Sequence, residues 1–315
     1  MVKRKAASGP RHFLDLDQLS RPTLKGMLDN AHRIKKAGRR PPGSYRPKAL
    51  AGAVLALIFE KPSMRTRVSF DLAIRELGGE AIFLSSEEIQ VGRRETVADT
   101  ARVLSRYADA VLLRTVAHTT LAELAQHATV PVINGLTNLS HPCQIMADLV
   151  TVEEHLGPIE KCKVAWIGDS NNVSNSWMHA AVRLGFELRI GCPRELSPSP
   201  ELMAWVAKEK GKVAVIHDPA EAARGADCIV TDTWVSIGES DRERKVKLLE
   251  PFRVDQALMQ KAAKHAIFMH CLPAYRGNEV TAEVIDGPQS VVFDEAENRL
   301  HAQKAVLAWC LGAEE

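Results

Sequence analysis

The sequence predicts an α/β protein with two domains, each built on a parallel sheet flanked by helices. Apolar segments of strand length alternate with segments whose apolar residues repeat at helical spacing, along all 315 residues. The strand segments are apolar on both faces, which is typical of parallel sheets that helices cover on either side. The alternation forms two separate series, and the chain is long enough for two domains of ordinary size.

The first series comprises four strands and three helices, and a longer helix follows it. Its strands are predicted at 53–59, 81–84, 110–113 and 131–134, with helices at 66–78, 95–106 and 119–128. The segment from about Pro142 to Leu156 is predicted to be a helix that joins the two series. The second series has predicted strands at 163–167, 186–190, 212–216, 227–231, 266–269 and 290–293, and it ends in a helix from Glu295 to Leu311.

Composition describes a globular protein with a sizeable core. Hydrophobic residues make up 45% of the chain and the formal net charge is only +2, so no basic surface for nucleic acid or membranes is predicted. No apolar run approaches the roughly 20 residues of a membrane helix, and the basic N-terminus lacks the apolar core of a secretory signal. The six cysteines are scattered without a CxxC pair, which favours a reducing compartment and a cytoplasmic location.

The most informative segment runs from Ser63 to Arg67 and reads S-M-R-T-R. It follows a predicted strand and opens a predicted helix, with Pro62 and Ser63 at the junction where helices favour such residues. Free backbone N–H groups and the positive end of the helix dipole lie at a helix start. Arginine can bond two oxygens of one anion at once. The segment is predicted to bind a compact anion such as phosphate, and a solvated basic turn is the alternative.

Two further polar motifs of the first half follow predicted strands, where ligands bind in open α/β sheets. Arg114 follows the strand 110–113 and is a candidate second ligand for an anion. His141 and Gln144 stand at the start of the connecting helix, with Pro142 at a favourable first helical position. They fit two interpretations: a capped helix start, or a His and a Gln presented to a polar carbonyl or amide.

Strand ends of the second half also carry polar residues. The turn from Gly168 to Asn172 resembles a nucleotide-binding turn, yet GxGxxG is absent from the chain, which argues against a dinucleotide cofactor. Its paired Asn side chains suit an amino-acid carboxylate or amine. Asp232, after a predicted strand, is a candidate partner for an ammonium group. Cys271 follows another strand beside His270, and it is either a small buried hydrophobe or a contact to a reacting group.

Taken together, these motifs resemble those of the aspartate/ornithine carbamoyltransferases over almost the whole chain, from His12 to the last helix. S-x-R-T-R at Ser63 and H-P-x-Q at His141 mark the wider family. D-T-W-x-S-x-G from Asp232 and H-C-L-P from His270 are similar to the ornithine branch. The occurrence of all four in this order is highly specific.

The resemblance implies two substrates, carbamoyl phosphate and L-ornithine, and the residues that bind them. It implies that carbamoyl phosphate is bound by Ser63, Met64, Arg65, Thr66, Arg114, His141, Gln144, Cys271, Leu272 and Arg299, and by Gln90 lent from a neighbouring subunit. It implies that ornithine is bound by Asn172, Asp232, Ser236 and Ile237. The implied catalytic residues are Arg114, His141 and Cys271, and no cofactor or metal is expected.

The resemblance also implies how the chain is divided and assembled. The carbamoyl phosphate domain would span residues 1–145 and be completed by the last helix, 297–315, which packs back on it. The ornithine domain would span residues 146–296. The implied assembly is a homotrimer whose active sites are shared between subunits.

The implied reaction moves the carbamoyl group to the side-chain amine of ornithine, giving citrulline and phosphate in arginine biosynthesis. Phosphate is a good leaving group, so positioning of the two substrates, which supplies roughly 7–11 kcal/mol in favourable cases, carries much of the catalysis. Arg65, Thr66, Arg114 and His141 would stabilise the charge that develops on the carbonyl oxygen and the phosphate. We hypothesise that Asp232 pairs with the α-ammonium and that Cys271 orients the δ-amine.

One position departs from the family pattern. Many members have Ser-Met-Gly where this chain has Ser236-Ile237-Gly238, so side-chain packing around the amine substrate differs. The alternatives are a sister carbamoyltransferase that uses N-acetylornithine, putrescine or aspartate, and the catabolic direction of the same reaction. A binding protein without catalysis is disfavoured because Arg65 and His141 are both present.

Overall fold

A computed structural model describes residues 9–38, 49–85, 95–235 and 241–313. Three predicted site residues, Gln90, Ser236 and Ile237, lie outside the described residues. In the described part of the chain, no helix is both long and apolar enough to cross a membrane.

Strands and helices alternate in the order that the sequence predicts. The strands are β1 (Val54–Phe59), β2 (Glu80–Ser85), β3 (Ala110–Arg114), β4 (Val132–Leu136), β5 (Lys163–Ile167), β6 (Glu187–Gly191), β7 (Val213–Ile216), β8 (Cys228–Thr231) and β9 (Ile267–His270). The helices are α1 (Arg21–Lys36), α2 (Met64–Glu76), α3 (Val97–Tyr107), α4 (His118–His127), α5 (Pro142–Leu156), α6 (Asn172–Leu184), α7 (Pro200–Lys208), α8 (Pro219–Ala223), α9 (Arg242–Leu249), α10 (Gln256–Met259), α11 (Ala282–Ile285) and α12 (Val292–Leu311). Short 3-10 helices occupy Leu16–Gln18, Ile159–Lys161, Arg194–Leu196 and Glu250–Phe252.

The first sheet has four parallel strands in the order β2-β1-β3-β4. Its central strands are apolar throughout, and β1 is buried from Leu55 to Phe59. Apolar side chains of β1, β3 and β4 pack with α3 and α4 in one core, which includes Ile58, Leu104 and Leu121. The polar groups at the carboxyl ends of β1 and β3 are neighbours, because Phe59 and Arg114 are aligned across the ladder.

The second sheet has five parallel strands in the order β7-β6-β5-β8-β9. Ile167, Ile229 and Phe268 contribute to a core that also includes residues of α8, α10 and α11. From β5 the chain first adds β6 and β7 on one side of the sheet and then adds β8 and β9 on the other side. The strand order therefore reverses at β5. Such a reversal leaves a crevice at the carboxyl ends of the strands, where ligands bind in open α/β sheets.

The predicted strand at 290–293 is wrong. Its β-branched and aromatic residues favour a strand locally, but among the described residues only one isolated bridge, between Phe268 and Ser290, extends the sheet beyond β9. Helix α12 begins at Val292, three residues before the predicted start, and carries Asp294 and Glu295 in its first turn. Acidic side chains there are stabilised by the helix dipole, so the helix begins inside the apolar run.

The chain divides into two compact units. The first contains the described residues of Met1–Asp15, Asp29–Cys143 and Leu300–Glu315, and the second those of Leu16–Leu28 and Gln144–Arg299. The C-terminal part of α12 belongs to the first unit, where Lys304 forms an ion pair with Glu76 of α2. The rings of Phe13 and Trp309 also meet edge to face at 6.5 Å. The prediction that the last helix packs back on the first domain is confirmed.

Candidate active site

The start of α2 lies directly after β1, as the S-M-R-T-R segment predicts. Ser63 is the N-cap residue, and its Oγ accepts a hydrogen bond from Thr66 N across 3.4 Å. Thr66 is buried, Arg65 is half-buried, and Met64 is 71% exposed. The first N–H groups of the helix therefore stand at the carboxyl end of a buried strand, with one hydroxyl and one guanidinium beside them. This arrangement suits a compact anion.

Arg114 reaches the same helix start from the end of β3. Its Nη1 donates to Thr66 Oγ1 at 3.4 Å and to the carbonyl of Gly135 at 3.5 Å. A Cβ on Gly135 would lie only 2.8 Å from Leu112 Cδ2 and 3.2 Å from Arg114 Cβ. Glycine at position 135 therefore lets β4 approach β3 closely where the ladder shifts register between Leu113 and Arg114.

His141 is buried between the end of β4 and the first residue of α5. The turn before it is held by Asn134, whose Nδ2 donates to the Ser140 hydroxyl at 3.1 Å and to the Leu14 carbonyl at 2.9 Å. Thr137 N also donates to the Ser140 carbonyl at 3.0 Å. These bonds fix the loop that presents His141 at the carboxyl edge of the first sheet.

In the second unit, Asp232 is the centre of a small polar cluster. Asn171 Nδ2 donates to Asp232 Oδ2 at 2.9 Å, and the Cys271 thiol donates to Asp232 Oδ1 at 3.1 Å. Asn171 is itself the N-cap of α6, because its Oδ1 accepts from Val173 N and Ser174 N. Asn172 is the first residue of that helix and is half-buried. The cluster offers a carboxylate beside a helix start, which suits the two charged ends of an amino acid.

The H-C-L-P segment forms a tight turn after β9. Leu272 has φ +56°, and its N–H donates to Nδ1 of His270 at 2.9 Å. Nδ1 is therefore an acceptor, so the ring hydrogen is on Nε2, which lies 3.2 Å from Glu279 Oε1. Both His270 and Glu279 are completely buried. His270 thus shapes the turn that presents Cys271 and Leu272.

Gln144 and Arg299 meet in the second unit together with two buried carboxyl groups. Gln144 Nε2 donates to Asp148 Oδ1 at 2.8 Å and to Glu295 Oε1 at 3.0 Å. The Arg299 guanidinium donates to Gln144 Oε1, and Glu295 Oε2 accepts from His270 N at 2.8 Å. The Gln144 amide is bound by side chains, so it does not act as the capping-box residue of the alternative interpretation.

Several groups of the second unit have perturbed pKa values. Burial raises the pKa of Asp148 to about 7, against hydrogen bonds from Gln144 and Glu295 that lower it. Burial also raises the pKa of Glu295 well above its ordinary value, helped by the charge of Asp148. Burial and the neighbouring Asp232 carboxylate raise the pKa of the Cys271 thiol well above its usual value. Cys271 is therefore a neutral thiol near neutral pH, a hydrogen-bond donor rather than a thiolate nucleophile.

In the described residues of this unit, one group of side chains brings together residue types that can bind a metal ion. Donor atoms of Asp232, His270 and Cys271 all lie within 4.8 Å of one another. Protein partners already engage them, because the thiol donates to Asp232 and both ring nitrogens of His270 have neighbours. A protonated thiol is also a poor metal ligand.

Sequence reasoning missed three residues that organise these sites. Asn171 was part of a noted Asn pair, but its bond to Asp232 joins residues 61 positions apart. Asp148 follows Gln144 by one helical turn, which places the two on one face and is a usable signal. Glu295 contacts Gln144 from 151 positions away, and no local pattern indicates that contact.

The fold and these two clusters define a class of protein: a two-domain α/β protein in which one unit carries a helix start that suits an anion and the other carries a polar cluster that suits an amino acid. Residues 11–154 match the model "Aspartate/ornithine carbamoyltransferase, carbamoyl-P binding domain", and residues 160–310 match "Aspartate/ornithine carbamoyltransferase, Asp/Orn binding domain". The chain belongs to the aspartate/ornithine carbamoyltransferase family.

Individual relatives are similar over nearly their whole length. An ornithine carbamoyltransferase from Nitrobacter winogradskyi is 59% identical over 98% of this chain and 99% of its own. The structure of ornithine carbamoyltransferase from Pyrococcus furiosus matches with a TM-score of 0.90 at 45% identity, covering 96% of this chain and 98% of the other. The anabolic ornithine carbamoyltransferase of Campylobacter jejuni matches with a TM-score of 0.89 at 43% identity, covering 95% and 98%.

Proposed function

We propose that this protein transfers the carbamoyl group of carbamoyl phosphate to the side-chain amine of L-ornithine, which gives L-citrulline and phosphate. The observation that carries the proposal is the start of α2, where Ser63 caps the helix and the guanidinium of Arg114 reaches the Thr66 hydroxyl. That arrangement fits a phosphate group. The relatives named ornithine carbamoyltransferase support the choice of substrates.

We assign carbamoyl phosphate to the residues that the family motifs indicate. Ser63, Met64, Arg65 and Thr66 would bind the phosphate through the helix start and the Arg65 fork. Arg114 and His141 would stabilise charge on the carbonyl oxygen as phosphate departs. Gln144, Cys271, Leu272 and Arg299 would contact the carbamoyl group, and Gln90 of a neighbouring subunit would complete the site.

We assign ornithine to the Asp232 cluster. Asp232 would pair with the α-ammonium, and Asn172, at the start of α6, would bond the carboxylate. Ser236 and Ile237 complete the proposed set. Cys271 would orient the δ-amine by hydrogen bonding, because its raised pKa keeps the thiol neutral near neutral pH.

The chemistry needs positioning more than covalent help. Ornithine's δ-amine attacks the carbonyl carbon only as the neutral base, and its ordinary pKa resembles that of lysine, about 10.4. The attack forms a C–N bond, phosphate leaves with the C–O bonding pair, and the amine releases one proton. Guanidinium and helix N–H groups stabilise the departing charge, and fixed placement of the two substrates supplies roughly 7–11 kcal/mol in favourable cases.

The direction of the reaction and the assembly are part of the proposal. A relative described as anabolic supports a role in arginine biosynthesis. We propose a homotrimer in the cytoplasm. Exposed apolar residues on β2 support a subunit contact there, because Ile82 is 39% exposed and Phe83 is 38% exposed. Strands of parallel sheets are usually covered on both faces. The proposed domains are 1–145 with 297–315, and 146–296.

An amine panel tests the substrate assignment. Purified protein is incubated with carbamoyl phosphate and, in parallel, L-ornithine, N-acetylornithine, putrescine or aspartate, and the carbamoylated product is identified by mass. We expect turnover with L-ornithine at least about 100-fold above the other amines, since the α-ammonium partner is lost in N-acetylornithine and the α-carboxylate in putrescine. Turnover with another amine alone would overturn the ornithine assignment and keep the carbamoyl phosphate site.

A further inference from the structure

Two buried carboxyl groups of the second unit face each other across the amide of Gln144. Gln144 and Asp148 lie one turn apart on α5, and Glu295 and Arg299 lie one turn apart on α12. Each pair therefore projects from one face of its helix. All four side chains are at least 97% buried: Gln144, Asp148 and Glu295 are 1% exposed and Arg299 is 3% exposed.

The hydrogen bonds leave the Gln144 amide only one orientation. Its two N–H hydrogens go to Asp148 Oδ1 at 2.8 Å and Glu295 Oε1 at 3.0 Å. Its oxygen accepts from Arg299 and keeps a second lone pair. If the amide were reversed, the oxygen would face two carboxyl oxygens and the NH₂ group would face a guanidinium. That orientation loses all three hydrogen bonds of the Gln144 amide.

The two carboxyl groups have different duties. Both oxygens of Glu295 are engaged as acceptors, one by Gln144 and the other by His270 N. Asp148 Oδ2 is buried, and no donor among the described residues reaches it. Asp148 Oδ1 and Glu295 Oε1 accept the two hydrogens of one amide, so the two carboxyl groups lie close together in a buried place. Two like charges so close are unfavourable, and the pair therefore holds one proton between them. Burial raises the pKa of both carboxyl groups although the Arg299 guanidinium lowers it, which agrees with a shared proton.

We propose that Asp148 and Glu295 are positioning residues that set specificity for the carbamoyl group. Sharing one proton, they hold Gln144 so that its oxygen accepts an N–H from Arg299 and another from the carbamoyl NH₂. This inference rests on the proposed function, in which Gln144 contacts the carbamoyl group. The two carboxyl groups themselves touch neither substrate.

Acetyl phosphate is the matched probe, because it replaces the carbamoyl NH₂ with a methyl group of similar size. The side-chain oxygen of Gln144 can accept a hydrogen bond from an NH₂ group but not from a methyl group. The protein should therefore bind carbamoyl phosphate more tightly than acetyl phosphate. Loss of the Gln144 orientation should weaken the binding of carbamoyl phosphate and leave the affinity for acetyl phosphate nearly unchanged. The ratio of the two dissociation constants therefore reports on amide orientation rather than on general damage to the fold.

The variants follow from the two duties. Asp148→Asn keeps an oxygen for Gln144 and supplies an N–H toward Glu295, so it mimics the protonated carboxyl. Glu295→Gln cannot accept from both Gln144 and His270 N, whichever way its amide is turned. Asp148→Ala removes the acceptor for Gln144 altogether. Asp286→Asn, an exposed carboxylate on the same unit, is the control.

Calorimetric titration of the wild-type protein and the variants with both ligands is the test. We expect a ratio within about 3-fold of wild type for Asp148→Asn and Asp286→Asn. For Glu295→Gln and Asp148→Ala we expect the ratio to fall about 10- to 100-fold, with acetyl phosphate affinity within about 3-fold of wild type. Glu295→Gln preserves side-chain volume and gives the same comparison if Asp148→Ala does not fold.

Two results would overturn the inference. One is an unchanged ratio in Glu295→Gln or Asp148→Ala. The other is an Asp148→Asn ratio as low as that of Asp148→Ala, which would exclude the shared proton. The titrations need no amine, so failure of the wild-type protein to make citrulline would count against the proposed function and not against this pair of positioning residues.

Discussion

Cys271 donates its thiol hydrogen to Oδ1 of Asp232 across 3.1 Å. Cys271 follows β9 and Asp232 follows β8, and these two strands are neighbours in the sheet. The other oxygen of Asp232 accepts from Asn171 at 2.9 Å. One carboxylate therefore joins the ends of β8 and β9 and the start of α6. In the proposed function the same carboxylate pairs with the ornithine α-ammonium, so this contact ties substrate binding to the geometry of the H-C-L-P turn.

Asp232→Asn should weaken ornithine binding. The asparagine keeps the shape of the side chain but loses the charge that faces the ammonium, and hydrogen bonds to charged groups contribute about 1.5–3 kcal/mol. We expect KM for ornithine to rise roughly 10- to 100-fold, with KM for carbamoyl phosphate within about 3-fold of wild type. Steady-state kinetics with each substrate varied in turn measures both. An unchanged KM for ornithine would remove Asp232 from the amine site.

Cys271→Ala should lower kcat more than it raises either KM, because the thiol is assigned to orient the amine rather than to hold the substrate. We expect a fall of about 10-fold in kcat, in the range of one lost hydrogen bond. Cys271→Ser, which keeps a donor, should recover part of it. Cys162→Ala, a buried thiol at the start of β5, is the control. Equal turnover of Cys271→Ala and wild type would refute the role of the thiol.

The ion pair between Lys304 and Glu76 predicts that two acidic residues of α2, Glu76 and Asp71, contribute differently to the stability of the protein. The pair is nearly buried, with side-chain exposures of 8% and 14%, whereas Arg75 and Asp71 form an exposed pair on the same helix. Glu76→Gln leaves a buried cation without its partner and should cost roughly 2–4 kcal/mol of unfolding free energy. Asp71→Asn should cost less than about 0.5 kcal/mol. Urea unfolding compares them, and equal losses would contradict the packing of α12 on α2.

The buried carboxyl of Asp148 predicts how stability depends on pH. Its pKa is about 7 in the folded protein against the ordinary value of 3.8, so between these values the folded state holds a proton that the unfolded chain has released. This contribution is full below pH 3.8 and is lost as the pH rises through 7.

Asp148→Asn does not titrate, so its stability relative to wild type should increase from pH 5 to about pH 7 and then level off. The slope should approach about 1.4 kcal/mol per pH unit at most. Paired urea unfolding curves at pH 5, 6, 7 and 8 measure it. A difference that stays constant over this range would show that the Asp148 carboxyl is ionised throughout.

The exposed apolar residues of β2 predict a subunit contact. The Phe83 ring is covered on one side by the Arg67 guanidinium at 3.8 Å from the ring centroid, and it remains 38% exposed. Phe83→Glu should shift the protein from trimer to smaller species in light scattering and lower activity with it. Tyr107→Glu changes an apolar residue of α3 that is 72% exposed and should leave the mass unchanged. A wild-type monomer would contradict the proposed trimer.

Local sequence pattern predicted the strands well because each buried parallel strand is a short continuous apolar run. β1 and β5 begin and end within one residue of their predicted limits. The prediction of a strand at 290–293 failed because the same apolar residues can also begin a helix. Among the described residues, only the isolated bridge at Ser290 continues the sheet there, and this contact could not be read from the sequence. Periodicity reports burial, and burial alone does not choose between these structures.

The site was predictable where chemistry follows a strand and obscure where it depends on distant contacts. Ser63 and Arg114 could be found because each follows an apolar run. The pairing of Glu295 with Gln144 could not, because the carboxyl sits in the first turn of a helix where acidic residues are ordinary. Its burial and its contact arise only from packing in the folded unit.

The stoichiometry of the reaction with carbamoyl phosphate and L-ornithine tests carbamoyl transfer at this site most directly. Citrulline and inorganic phosphate are measured in the same samples over time, with an Arg65→Met variant in parallel. We expect equal amounts of the two products with the wild-type protein and at least about 100-fold slower formation of both with the variant. Phosphate release without citrulline, or equal rates for the two proteins, would contradict carbamoyl transfer at this site.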